Sequence, residues 1–378
     1  MADLFDYLDW RGDITFSEVP FGKIDALMLS HLSYSIFDGL ISDSFSESKT
    51  LELLVCDFKN ASDYEGRINI GFLINKRTAE LSFKCAESKR FKNVRISGYK
   101  NIYSEENIEQ FAAMTFTIDK VNVIAFRGTD DTIVGWREDF NIAYLPQIPS
   151  QKDALEYFSL AAKELGGNFI LVGHSKGGNL AVNTAVNCGE ETQKRIEKIY
   201  NFDGPGFLPE FFEKKEYKNI ENKIHSVYPE LSVVGMIFSH PKNFEITKSN
   251  GFAIMQHDAL TWQVLGSSFE NAEDFTEESK IFYKAFNKWV KKLSIEQRKK
   301  FVNALFDVIE ASGAKTNTDL EKNAITSSAK MIAAYSSMDK ETKKEVKNIL
   351  LVLKAAVQSS LPMFKLFPTT SVTGSMNY

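Results

Sequence analysis

Residues 171–180 read LVGHSKGGNL and contain GHSKG, a G-x-S-x-G pentapeptide with Ser175 at its centre. An apolar run, Phe169 to Val172, precedes it and a helical pattern follows from about Lys176. A strand that turns sharply into a helix lifts the serine hydroxyl onto a strained tip, and the glycines at 173 and 177 allow the chain to fold back closely on itself. The helix start also aims free backbone N–H groups and a partial positive charge at the place where an oxyanion would form. Such a turn favours acyl transfer.

The flanking pattern supports an elbow rather than a chance match. Ala154, Leu155, Phe158, Ala161, Ala162 and Leu165 recur at helical spacing upstream, and Leu180, Ala181, Thr184, Ala185 and Cys188 do so downstream. The competing reading is a glycine-rich turn that packs tightly or holds a phosphate. No GxxxxGK[ST] or GxGxxG accompanies it.

A serine hydroxyl is too weak an acid to attack an ester unaided, so an imidazole must take its proton and a carboxylate should orient that imidazole. Three histidines follow Ser175. His257, in AIMQHDALTW, falls after the last plausible strand, where a loop returns it over the elbow, and it is the expected base. His225 sits inside the strand pattern KIHSVY and His240 precedes Pro241, which makes each a packing or surface residue. The acid is expected at Asp203, where IEKIYNF ends and GPG fixes a turn. Glu230, at the end of SVYPELS, is the alternative, and Asp258 is a weak orienter because adjacent side chains diverge. Two donors complete the oxyanion hole. One is the Lys176 backbone N–H, and the other is the N–H or hydroxyl of Thr129, in the loop after VNVIAF, where Gly128 lets the chain turn.

Those groups need a rigid support. A helix is expected over Ile24 to Phe37, with Leu27, Met28, Leu32 and Ile36 on one face. Extended candidates follow in INIGFLI, NVRISGY, AAMTFTI and VNVIAF, the last two joined through IDKVN as an antiparallel hairpin. A helix over 151–165, a strand over 169–172, a helix over 178–188 and the strands KIYNF and KIHSVY then alternate as in a parallel sheet, which places the chain in the α/β class. From about residue 270 long lysine-rich helical patterns take over. One apolar stripe holds Ile281, Phe282, Phe286, Trp289, Val290 and Leu293, Ser294 with Gln297 forms a capping box, and further helices are expected over 319–336 and 340–360. The expected organisation is a domain over 1–268 and a helical extension over 269–378.

Composition excludes several classes of function. With 43% hydrophobic and 25% charged residues the 378-residue chain is ordinarily globular, and a formal charge of −5 gives no reason to expect a nucleic-acid partner. Residues 280–300 carry eight Lys or Arg against one Glu, which suits either a solvated helix face or peripheral contact with an anionic membrane surface. Cys56, Cys85 and Cys188 form neither a disulfide framework nor a metal site, and no HExxH occurs, so no metal or other cofactor is expected. The opening MADLFDYLDWRGD lacks a basic and an apolar leader region, and a cytoplasmic protein is expected.

FRGT at 126–129 followed by Trp136 and Asp139, together with GHSKGGNLA, resembles the FRG[ST] and GHSxGG pattern of fungal-type class III lipases. WRGD at 10–13, NFDGPGF at 201–207, SVVG at 232–235 and QHD at 256–258 are similar to a bacterial family of lipase-like α/β-hydrolases. The resemblance covers roughly residues 5–265. It implies an α/β-hydrolase fold, a Ser175 nucleophile, a His257 base and an oxyanion contribution from Thr129, without naming a substrate. Two departures stand out. The position that carries the acid in fungal-type lipases corresponds to Ser232, whereas NFDGPGF resembles the strand-end Asp of pancreatic-type lipases and again points to Asp203. Lys176 replaces the usual apolar residue after the nucleophile and is expected to put a cation near the pocket mouth.

The expected function is a serine hydrolase acting on a small-molecule or lipid ester or thioester through an acyl-enzyme. An acyltransferase with the same triad and a catalytically silent binding protein of the same fold are the alternatives.

Overall fold

The computed structural model describes residues 1–71, 76–344 and 346–347. Its centre is an eight-stranded sheet whose spatial order follows the chain: β1 (Lys49–Thr50), β2 (Arg95–Ser104), β3 (Glu109–Ile118), β4 (Val121–Phe126), β5 (Asn168–His174), β6 (Ile196–Phe202), β7 (Ile224–Pro229) and β8 (Phe244–Thr247). Strands β1 to β4 pair antiparallel and β4 to β8 pair parallel. Ile118 lies opposite Val121 in the hairpin between β3 and β4.

The apolar run of β5 is explained by burial on both faces, as central parallel strands require. Ile170 and Val172 enter one core, with α1 (Leu4–Arg11), α2 (Lys23–Leu32), α3 (Leu51–Lys59), α4 (Tyr64–Ile68) and α5 (Arg77–Glu87) around it. Phe169 and Leu171 enter the other. It is closed by residues of α7 (Pro149–Glu164), α8 (Lys176–Asn187) and α10 (Lys215–Ile220), while α6 (Ile133–Asn141) lies before α7 and α9 (Glu190–Lys194) after α8.

A third core joins α6 and the loop after β7 to α11 (Glu277–Lys292), α12 (Ile295–Glu310), α13 (Asn317–Lys322) and α14 (Ala324–Ser337). Phe282, Phe286 and Val290 of the expected stripe are buried there, but Ile281 is exposed. Lys284, Lys288, Lys291 and Lys292 occupy the outer face of α11. The Ser294–Gln297 capping box forms at the start of α12. This is the α/β-hydrolase fold with C-terminal helices. No helix among the described residues is long and apolar enough to cross a membrane.

Several local expectations change. The first long helix stops at Leu32, not Phe37. Ile68 closes α4, Asn69 to Gly71 are irregular, and the rest of INIGFLI lies outside the described residues. α3 and α5 were not expected. The inner face of α5 is built from Thr78, Leu81, Ser82, Cys85 and Ala86, which recur at helical spacing. The helical extension begins at Glu277 because Ala272 N–H still bonds Ile246 O and Asn271 bridges to Thr247 at the sheet edge. The expected helix over 319–336 is two helices parted at Asn323, and most of 340–360 lies outside the described residues.

Lys176 also departs from expectation. Its side chain has no exposure, and Nζ donates to Glu138 Oε2 (2.8 Å), Gln110 O (2.7 Å) and Gln110 Oε1 (3.0 Å), with Asp139 Oδ1 at 3.8 Å. Glu138 is equally buried and accepts the backbone N–H groups of Gln110 and Ser150. A carboxylate at that depth needs a cation beside it, and Lys176 is drawn under α8 to supply one. Helix α6, strand β3 and the first residue of α8 are thereby clamped together.

Removing one partner of a buried pair strands the other charge. Lys176→Met should therefore lower stability by about 3–5 kcal/mol, and adding Glu138→Gln should restore much of it. Urea unfolding midpoints of the two variants read this directly.

Candidate active site

Parallel register brings three strand ends to one edge of the sheet. Phe126 pairs with Gly173 and His174 with Phe202, so the residues that follow β4, β5 and β6 emerge side by side. Ser175 occupies φ 58°, ψ −134°, a conformation that L-residues avoid. Surrounding structure holds it there. Its N–H bonds Phe202 O (2.9 Å) and its carbonyl accepts Gly178 N–H (2.9 Å). A Cβ at Gly173 would collide with the Gly177 backbone, and one at Gly177 would collide with Phe126 O. The elbow glycines are thus needed for close approach. Ser175 is half-buried.

Asp203 leaves β6 with φ 49°, a left-handed conformation that Asp tolerates better than most residues, and its N–H bonds Val227 O (2.9 Å). It has no exposure. Oδ2 lies 2.6 Å from His257 Nδ1, and Oδ1 accepts the Ser232 hydroxyl at 2.5 Å. The Asp203 contact leaves Nε2 of His257 on the far side of the ring. Ser232, the position that corresponds to the acid of fungal-type lipases, here donates to Asp203.

Glu230 is placed differently. Phe202 is in register with Val227, so Glu230 lies two residues beyond the level of Asp203, and its backbone is engaged by Thr247 O and by Thr276 N–H from the start of α11. Its side chain makes no hydrogen bond to His257. The carboxylate of Asp258 caps a short turn by accepting Leu260 N–H (3.0 Å). His225 stacks on Tyr200 within the sheet, and His240 packs among Tyr228, Phe244 and Tyr283, so neither reaches the elbow.

Thr129 and Lys176 face one cavity of about 170 Å³ together with Ser175 and His257. The Thr129 hydroxyl donates to Asp139 Oδ2 (2.5 Å), so its backbone N–H is the donor left for the cavity. Burial raises the Asp139 carboxyl to about 6, against the opposing pull of Lys176 and of that hydroxyl. Gly128 is required for closeness and not for a left-handed turn. A Cβ there would meet the Tyr34 hydroxyl, His174 O and Ser175 Cβ.

Pattern reasoning passed over His174 because it is a variable position in G-x-S-x-G. In the fold it is buried, its ring centroid 4.6 Å from that of His257. Nε2 is 2.7 Å from His257 O, and since a carbonyl only accepts, that nitrogen must carry the proton. Nδ1 is then the acceptor for the Tyr34 hydroxyl (3.2 Å). Burial first, and the neighbouring His257 next, hold the pKa of His174 well below the ordinary histidine value and keep it neutral. No group of three His, Cys, Asp or Glu side chains among the described residues could hold a metal ion.

Comparison with known proteins adds the following. Among solved structures the chain is similar to one described as the crystal structure of M37 lipase, with 16% identity and a TM-score of 0.35, covering 56% of this chain and 68% of that one. No curated protein matches it. Residues 85–307 match the Mbeg1-like family. That segment runs from the end of α5 into α12, makes up more than half of the sequence and includes Thr129, Ser175, Asp203 and His257; the chain belongs to the Mbeg1-like family.

Proposed function

We propose that this protein is a serine hydrolase that cleaves carboxylic esters or thioesters through an acyl-enzyme on Ser175. The observation that carries the reading is the 2.6 Å contact between His257 Nδ1 and the fully buried Asp203, formed beside a serine held at an elbow. His257 Nε2 takes the Ser175 proton as Oγ attacks the carbonyl carbon. It then gives that proton to the departing oxygen or sulfur as the acyl bond breaks. Water repeats the sequence on the acyl-enzyme and releases the acid. The oxyanion is met by the backbone N–H groups of Lys176 and Thr129.

A serine at 232, where fungal-type lipases carry the acid, would suit a catalytically silent protein. Its bond to Asp203 instead supports a functioning acid, because each carboxylate oxygen then has a partner and the imidazole keeps one orientation.

Three outcomes are expected. Purified protein should release nitrophenol from nitrophenyl esters and react with a fluorophosphonate, and Ser175→Ala should abolish both; activity equal to wild type in that variant would overturn the assignment. Asp203→Asn should cut kcat by about 10⁴-fold, as loss of the orienting acid does elsewhere, whereas Glu230→Gln should stay near wild type. The reverse order in a side-by-side kcat measurement would move the acid to Glu230. Thr129→Ala keeps the backbone donor and loses only the brace to Asp139, so its kcat should fall by less than the roughly 10²-fold that removing an oxyanion donor costs.

A further inference from the structure

The cavity beside Ser175 has two chemically different ends. One is apolar, walled by Phe140 of α6, Phe238 of the loop after β7, Phe286 of α11, and Phe301 and Val302 of α12. The other is polar, where His31 of α2 and Thr78 of α5 line the same space. His31 is 4% exposed and Thr78 1%. Both ring nitrogens of His31 and the hydroxyl of Thr78 are buried without a hydrogen-bond partner among the described residues. Buried polar atoms are almost always satisfied by protein, water or ligand, so three such atoms on one cavity wall mark a place built to receive hydrogen bonds.

Position assigns each end to a part of the substrate. The oxyanion loop at Thr129 runs directly into α6, so the apolar end adjoins the acyl carbonyl. The alcohol must depart on the imidazole side, where His257 returns the proton. His31 belongs to that side: it stacks on His174 at 5.3 Å, and the His174 ring lies tilted against His257 at 4.6 Å. Burial lowers His31 to about 4, which leaves the ring neutral, with one donor and one acceptor. A hydroxyl group, itself donor and acceptor, complements that ring and the Thr78 hydroxyl together.

We propose that the substrate is an amphiphilic ester of a polyol, with an apolar acyl chain in the arm between α6, α11 and α12 and a free hydroxyl of the alcohol bound by His31 and Thr78. The inference rests on the hydrolase reading above and extends it to a substrate class. The C-terminal helices then supply the acyl-binding wall, while α2 and α5 read the alcohol.

The test compares glyceryl monodecanoate with propyl decanoate, which share the acyl chain and differ in the hydroxyls of the alcohol. Wild type should favour the glyceryl ester in kcat/KM by on the order of tenfold to a hundredfold, since the propyl ester leaves buried groups unpaired. His31→Leu and Thr78→Val should each reduce that ratio toward one. Thr78→Val keeps shape and volume and carries the result alone should His31→Leu fail to fold. Nitrophenyl esters of increasing chain length should gain roughly fourfold in kcat/KM per methylene until the arm is full. Equal use of the two decanoates by wild type, a ratio untouched in the folded variants, or a flat chain-length series overturns the proposal. Should nitrophenyl decanoate be cleaved by wild type and not by Ser175→Ala while the glyceryl preference is absent, the polyol proposal falls and the hydrolase reading stands. Identical nitrophenol release by Ser175→Ala removes the hydrolase reading itself.

Discussion

A carboxylate with no solvent exposure has to be satisfied by the protein, and much of this site is arranged around satisfying Asp203. Its backbone takes a left-handed conformation as it leaves β6, one oxygen meets His257 Nδ1, and the other takes the Ser232 hydroxyl. Each partner arrives from a different segment. His257 comes from a short turn beyond β8, and Ser232 from the loop after β7. The main-chain oxygen of Ser232 is bonded in turn by the Ser279 hydroxyl of α11 at 2.9 Å. A C-terminal helix thus helps to hold the loop that holds Asp203. An isolated buried charge would be expelled or neutralised, so these segments are kept together by a need that none of them meets alone.

The elbow imposes a second constraint, on Lys176. The turn that presents Ser175 outward directs the next side chain inward, where Glu138 lies with no exposure. The ammonium pairs with Glu138 and stands 3.8 Å from Asp139, and Asp139 accepts the Thr129 hydroxyl. The loop proposed to supply an oxyanion donor is therefore tied to the residue after the proposed nucleophile through two consecutive carboxylates of α6. A lysine in this place serves the geometry of the site from beneath and adds no charge at its mouth.

A chain of neutral hydrogen bonds performs a related service on the other side of the elbow. The Tyr34 hydroxyl, the His174 ring and the His257 carbonyl are linked in sequence, with the His174 tautomer set by the carbonyl at its end. The chain connects the turn after α2, the elbow and the turn bearing His257. Low local dielectric strengthens such linked bonds and makes each costly to break. Positional precision at Ser175 and His257 thus draws on the turn after α2, well outside the segment that contains the motif.

Much of this protein was legible in its sequence, because the signals concerned are local. Apolar runs of strand length, helical spacing on either side of them and a G-x-S-x-G between them are set by backbone geometry within a few residues, and from them the α/β class, the hairpin at Ile118–Val121 and the elbow at Ser175 could be read. His257 and Asp203 could be read as the candidate base and acid, with Glu230 as the alternative acid, because the GPG turn after IEKIYNF and the place of QHD beyond the last strand are local features. Helix α5 was legible in principle, since its buried residues recur at helical spacing, although it was not expected. The buried course of Lys176, the donor role of Ser232 and the gathering of His31, Tyr34 and His174 beside His257 were decided only by tertiary structure. Each depends on which groups share a low-dielectric interior, and that is a property of the packed elements, not of spacing along the chain.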